Sequence, residues 1–187
     1  SSPKVRAAGI SCVGSDPDFG RLMSLPWKTA WITGASSGIG RALALALARR
    51  GVTVAASARS RDALEALAAE AGAVPGNARI VPWPLDVTDR EAVKAAAEAA
   101  LRVFRGPPDL VVLNAGTFLP MAAENFDAVR FRAQVEVNLR GTVHMLEALL
   151  PACLAARRGH IAIVSSVAGY RGLPTSAAYG ATKAALI

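Results

Sequence analysis

From Lys28 onward, short apolar runs alternate with longer segments in which apolar residues recur every three or four positions. The short runs predict strands and the longer segments predict amphipathic helices. "KTAWIT" reads as the first strand and "GIGRALALALARRG" as the first helix, closed by Gly51. "VTVAAS" is the second strand, and "SRDALEALAAEAG" the second helix, with Gly72 as its stop. "RIVPWPL" is a short extended piece. It leads into "DVTDREAVKAAAEAALRVFRG", a third helix with Thr88 as N-cap and Glu91 completing a capping box. "DLVVLNAG" is a strand, "FDAVRFRAQVEVNLRGTVHMLEALLPACLAARRG" one long helix, and "HIAIVSS" a strand, and a last helix starts near Ser176.

Apolar strands alternating with helices imply an α/β fold: a three-layer, doubly wound parallel sheet covered on both faces. The expected strand order is 3-2-1-4-5. The prolines fit this order. Pro82 and Pro84 fall in the third strand, and prolines belong on sheet edges. Being two residues apart, they can both turn their missing N–H away from the second strand.

Residues 1–26 show no period and carry several breakers, so they are expected to be a disordered or non-native extension to a dinucleotide-binding domain at 27–187. "MSLPWKTAWITG" makes Met23 a natural start, which would leave residues 1–22 as upstream sequence.

Composition adds constraints. The chain of 187 residues is 52% hydrophobic and rich in Ala, as a helix-rich globular protein should be. Its longest apolar run, Ala42 to Ala48, is far short of the roughly 18 residues a membrane span needs. The N-terminal segment has no apolar core of the signal-peptide kind. Two cysteines, Cys12 and Cys153, suggest no disulfide framework, and a reducing cytoplasm is expected. The net charge of +7 raises the possibility of nucleic acid as partner. The arginines are spread along the chain, however, and the pairs Arg49-Arg50 and Arg157-Arg158 sit at helix ends before Gly51 and Gly159. Cations there complement the helix dipole, so no nucleic-acid partner is expected.

The candidate chemistry begins at the end of the first strand. "TGASSGIG" places Gly34, Gly38 and Gly40 at a strand-to-helix turn. Such glycines let backbone approach a pyrophosphate, which the helix N-terminus attracts. No Gly-Lys-Ser/Thr follows, so the turn is no P-loop. At the end of the second strand, an acidic residue would bind the ribose 2′-hydroxyl of NAD. "ASARSR" has none: Ala58 stands at that position and Arg59 follows it, with Arg61 a weaker candidate. A guanidinium suits a 2′-phosphate, so NADP(H) is expected over NAD(H).

Taken together, the motifs resemble the short-chain dehydrogenase/reductase family, the subgroup with a TGxxxGxG turn and YxxxK, over about residues 27–187. The resemblance implies a Rossmann-like fold and cofactor contacts at Gly34, Ser36, Ser37, Gly38, Ile39 and Gly40. "LDVTD" implies that Asp86 and Val87 meet the adenine. "LNAG" carries over Asn114, Ala115 and Gly116, with Leu113 in place of the family's first Asn. "VNLRGT" supplies Asn138 and "IVSSVAG" supplies Ser166, thirteen residues before Tyr179. Spacing favours Ser166 over Ser165. "YGATK" supplies Tyr179 and Lys183 as the family's YxxxK.

The residue chemistry agrees. Tyr179 and Lys183 are an i, i+4 pair on one helix face. A phenol ordinarily ionises near pH 10, and a neighbouring ammonium favours the phenolate. Tyr179 would then be the general acid/base of carbonyl–alcohol interconversion, with Ser166 holding the substrate oxygen. Lys183 would hold the nicotinamide ribose, and the resemblance gives Asn138 a water linking Lys183 to a proton relay. No metal is implied, since His144 and His160 lack ligand-like partners. Tyr170, Arg171 and Pro174 fall where the family often lines its substrate pocket, but read first as loop surface. Met145 and Cys153 read as packing.

The resemblance also implies a homodimer or homotetramer at full length. The family usually continues into further strands, so this chain is expected to be a fragment cut near the catalytic helix, lacking the last strands. "HIAIVSS" would then be an unpaired apolar edge and an aggregation site. The alternative function is a non-catalytic dinucleotide-binding protein.

Overall fold

The computed structural model describes residues 25–72 and 79–187. The expected extension falls almost entirely on residues outside this range. Within it the chain builds a five-stranded sheet: β1 (Thr29–Thr33), β2 (Thr53–Ser57), β3 (Ile80–Pro82), β4 (Leu110–Leu113) and β5 (His160–Ile163). Every pairing is parallel and the order is β3-β2-β1-β4-β5, as expected.

The helices are α1 (Gly38–Ala48), α2 (Arg61–Gly72), α3 (Arg90–Val103), α4 (Ala128–Val135), α5 (Gly141–Ala156) and α6 (Ala177–Ala184). Alternation along β1 divides the core into two layers. Ala30 and Ile32 face a cluster with Ala44, Leu45 and Leu47 of α1 and Leu64 and Leu67 of α2. Trp31 faces the other side, against Val93, Ala97 and Ala100 of α3 and Met145 and Leu149 of α5. Its indole N–H donates to Ser57 Oγ at 2.9 Å, so the buried polar atom is satisfied. Leu113, where the family has Asn, is buried in this second layer, so an apolar residue suits the position.

The third strand behaves as the prolines predict. Trp83 and Leu85 donate their N–H groups to the carbonyls of Ala56 and Ala58, so Pro82 and Pro84 turn away from β2. At the other edge, β5 pairs only with β4 among the described residues, and Ile163 is 39% exposed.

Three local expectations are corrected. The N-cap of α3 is Asp89, not Thr88: Asp89 accepts from the Ala92 N–H at 2.9 Å. Thr88 is instead held by Asp86, whose carboxylate accepts both its N–H and its hydroxyl. The long helix is interrupted by a π-helical segment at Glu136–Arg140, between α4 and α5. Such segments shift the helical register and often present a functional side chain; here the segment carries Asn138, which is fully buried. Finally, α5 ends at Arg157 in a left-handed conformation (φ 50°), with Gly159 (φ 105°) two residues further on.

Candidate active site

The carboxyl ends of β1 and β4 are adjacent in the sheet, yet their following segments leave toward opposite faces. A crevice is expected at such a reversal, and an open cleft of about 1090 Å³ lies there. Its floor is the glycine turn. Gly34 takes φ +69° and Gly38 φ +54°, both left-handed. A Cβ on Gly34 would come within 2.8 Å of Ala115 Cα. A Cβ on Gly40 would collide with the Gly34 carbonyl and lie 2.6 Å from Asn114 Nδ2. Gly38 differs, because nothing lies within 4 Å of its missing Cβ. The chain leaves open space there, at the N-terminus of α1, and the Ser37 side chain caps none of the helix N–H groups. Free first-turn N–H groups beside open space are what a pyrophosphate needs, so the residues present fit a dinucleotide.

Asn114 locks this turn to β4. Its Nδ2 donates to the carbonyls of Thr33 and Gly34, at 3.0 and 3.2 Å. The Thr33 hydroxyl accepts the N–H groups of Asn114 and Ala115 in return. Asp86 and Val87 line the cleft beside β2, as does Arg59. Arg59 is exposed and makes no ion pair among the described residues, whereas Arg61 faces Glu65 at 3.8 Å along α2.

The remaining predicted residues meet at the other end. Ser166, Tyr179 and Lys183 all line the cleft. The two serines are now distinguishable. Ser165 Oγ donates to the Lys183 carbonyl at 2.7 Å and so ties β5 to α6. Ser166 Oγ only accepts, from the Ala168 N–H at 3.2 Å, which leaves its proton free for another partner. Lys183 is 4% exposed; its Nζ donates to the Val164 carbonyl at 2.7 Å and lies 5.7 Å from the Tyr179 ring centre. Burial pushes its ammonium below the ordinary lysine value.

Asn138 stands behind the cleft wall. Its Oδ1 accepts the Thr117 N–H at 2.7 Å, and its Nδ2 donates to the Thr117 carbonyl and to Thr182 Oγ1. Both amide hydrogens are thereby spent within the protein. Gly40 and Asn138 do not line the cleft but support residues that do, and the weaker candidates Arg61, Tyr170, Arg171 and Pro174 lie outside its lining.

Several contributors were not foreseen. Thr182 bridges Asn138 to the Tyr179 carbonyl, and Gln134 repeats the Asn138 arrangement on Leu119. The spacing of Gln134 and Asn138, two carboxamides at i, i+4, was the available signal. Phe118 packs edge-on against Tyr179 with ring centres 5.1 Å apart, which no local pattern announces.

Residues 28–187 match the sequence pattern of the short chain dehydrogenase family. The chain belongs to that family. It is 43% identical over 165 residues to an uncharacterized oxidoreductase of Myxococcus xanthus, covering 88% of this chain and 64% of that protein. The chain thus spans under two thirds of that relative's length. Among solved structures, it superposes on a 3-oxoacyl-[acyl-carrier protein] reductase with bound NAD from Brucella melitensis with a TM-score of 0.79. The identity is 33%, over 95% of this chain and 68% of that one. An alcohol dehydrogenase from Thermococcus sibiricus, complexed with 5-hydroxy-NADP, gives a TM-score of 0.76 and 36% identity over 84% of this chain and 66% of that one. No described helix of the chain is long and apolar enough to cross a membrane.

Proposed function

We propose that residues 27–187 form the cofactor-binding and proton-handling unit of an oxidoreductase that interconverts a carbonyl and an alcohol, with NADP(H) preferred. The observation that carries this reading is the meeting of Ser166, Tyr179 and Lys183 in the same cleft as the glycine turn. A protein that only stored a dinucleotide would have no need of a phenol and a hydroxyl beside its cofactor.

The glycine turn and the N-terminus of α1 would hold the pyrophosphate, and Asp86 and Val87 the adenine. The bound cofactor supplies or accepts the hydride. Tyr179 gives its phenolic proton to the carbonyl oxygen during reduction and takes it back from the alcohol in reverse. Ser166 donates its free hydroxyl hydrogen to the same oxygen and steadies its charge. Lys183, fixed by one N–H on Val164, has further N–H groups for the cofactor ribose. Asn138 acts here as a positioning residue: through Thr117 and Thr182 it sets the cleft wall and α6 at once.

The cofactor preference rests on Arg59. It lies at the rim with no carboxylate partner among the described residues, and Asp86 is occupied by Thr88. The relatives with NAD and with an NADP derivative leave the choice to such local chemistry. Oligomerisation as a dimer or tetramer is part of the same proposal, supported by the exposed apolar residues Val143, Leu150 and Leu154 along α5. A reducing, cytoplasmic setting suits the buried free thiol of Cys153, which burial pushes up from its ordinary value.

The test is a titration with NADPH and NADH, followed by tryptophan fluorescence and melting temperature, with turnover of small ketones measured alongside. Tighter NADPH binding that Arg59→Ala reduces about tenfold is expected. Equal or tighter NADH binding would discard Arg59 as selector, and absence of turnover would remove the catalytic reading.

A further inference from the structure

The wall facing Tyr179 is built in an unusual way. Residues 115–122 belong to no helix and pair with no strand among the described residues. Two buried carboxamides take the place of a strand edge. Asn138 bonds both the N–H and the carbonyl of Thr117, at 2.7 and 2.9 Å. Gln134, only 1% exposed, bonds both the N–H and the carbonyl of Leu119, at 3.0 and 3.1 Å. Phe118, held between the two clamped residues, lines the cleft. There it packs on Tyr179 yet remains 49% exposed, a large apolar surface beside the proposed acid/base.

The charge around this end is as informative. Besides Ser166, Tyr179 and Lys183, the cleft takes in Thr117, Phe118, Leu119, Ala133, Glu136 and Val137. Glu136 is the one charged member of this group, and its carboxylate pairs with Arg140 at 2.8 Å. Lys183 is buried and turned onto Val164. Arg59 follows β2, three strand spacings from β5, or roughly 14 Å at the usual interstrand distance. Among the described residues that line the cleft, no free cation therefore stands at this end to meet a phosphate or carboxylate; Arg171, exposed five residues beyond Ser166, is not among them.

We propose that Phe118, presented by the paired amide clamps of Gln134 and Asn138, is a specificity-determining residue that selects neutral, aryl- or alkyl-bearing carbonyl compounds over anionic ones. This rests on the oxidoreductase reading above. Gln134 is a positioning residue for it: it touches neither substrate nor cofactor and acts through Leu119.

The experiment compares acetophenone with 4-acetylbenzoate, which differs by one carboxylate, as substrates with NADPH. The wild type is expected to prefer acetophenone at least tenfold in kcat/KM. Phe118→Ala is expected to raise the acetophenone KM about tenfold, with NADPH affinity unchanged, and Phe118→Leu to recover most of the loss. Gln134→Met, similar in size but without the clamp, should raise KM in the same direction with kcat nearly constant, which general destabilisation would not do. A preference for 4-acetylbenzoate, or a ratio unmoved by Phe118→Ala, overturns the proposal. If neither ketone is turned over, the oxidoreductase reading fails and binding decides the wall separately. Acetophenone binding, read by NMR line broadening and weakened by Phe118→Ala, upholds it; no binding removes it.

Discussion

Strands β1 and β4 are tied together at both ends, and the two ties differ in kind. At the amino end, the Asp109 carboxylate accepts the N–H groups of Lys28 and Thr29 and the Thr29 hydroxyl, at 2.8 to 3.0 Å. Trp27 packs against His160 across the same end, with ring centres 5.9 Å apart. At the carboxyl end, Thr33 and Asn114 join the strands by neutral bonds to the backbone, and the chain beyond them leaves room instead of filling it. One end spends its polar groups on closure, whereas the other keeps helix N–H groups and a serine proton in reserve. The difference accounts for the place of the proposed site at the carboxyl end. The chain exits β1 and β4 in opposite directions there, so side chains cannot close the gap and a ligand can.

Breaking the open end should cost most. Gly40→Ala forces a Cβ into the Gly34 carbonyl and Asn114, and is expected to lower stability by about 3 kcal/mol and to abolish NADPH binding. Denaturant melts and fluorescence titration check both. Asp109→Ala should cost about 2 kcal/mol through the lost charged hydrogen bonds, yet leave NADPH affinity unchanged. Its acid response sharpens the contrast. Burial pushes Asp109 up, but the bonds from Lys28 and Thr29 and the charge of Arg158 outweigh that and hold it below its ordinary value. Its stabilisation is therefore full above about pH 3.9 and is lost as pH falls through the lowered value. Melts of the wild type should show that loss and melts of the variant should not. Gly38→Ala meets no neighbour, so about 1 kcal/mol of left-handed strain is the expected cost, with weakened cofactor binding because the methyl enters the cradle. Lys183 gives the smallest effect. Its folded-state ionisation is lowered, so burying the ammonium costs stability until pH rises through that value toward the ordinary value near 10.4. Over that range the wild type should gain stability relative to Lys183→Met in paired melts.

The open end was also the more legible one. Gly34, Gly38 and Gly40 declare themselves by spacing, because a turn of that shape admits little else. Strand order followed from alternation and from Pro82 and Pro84, since a missing N–H has physical consequences anywhere in a sheet. Tyr179 and Lys183 were legible as a helical pair. The supports were not. The clamp of Gln134 on Leu119 joins residues fifteen apart, and the contact of Phe118 with Tyr179 joins distant segments. Apart from the i, i+4 spacing of Gln134 and Asn138, nothing local distinguishes such residues from ordinary surface. The π segment escaped because Glu136–Arg140 contains no helix-breaking residue to mark the added residue in the turn. Thr88 and Asp89 are both good caps side by side, and only the demand of Asp86 for Thr88 decides between them.

If cofactor binding belongs to the backbone of the glycine turn and chemistry to the side chains at the other end of the cleft, the two must be separable at Tyr179. Tyr179→Phe keeps the ring that packs on Phe118 and removes one oxygen. The most direct measurement is NADPH affinity and ketone turnover of this variant beside the wild type. The account predicts wild-type affinity with turnover down at least about a hundredfold. Turnover at the wild-type rate would contradict it.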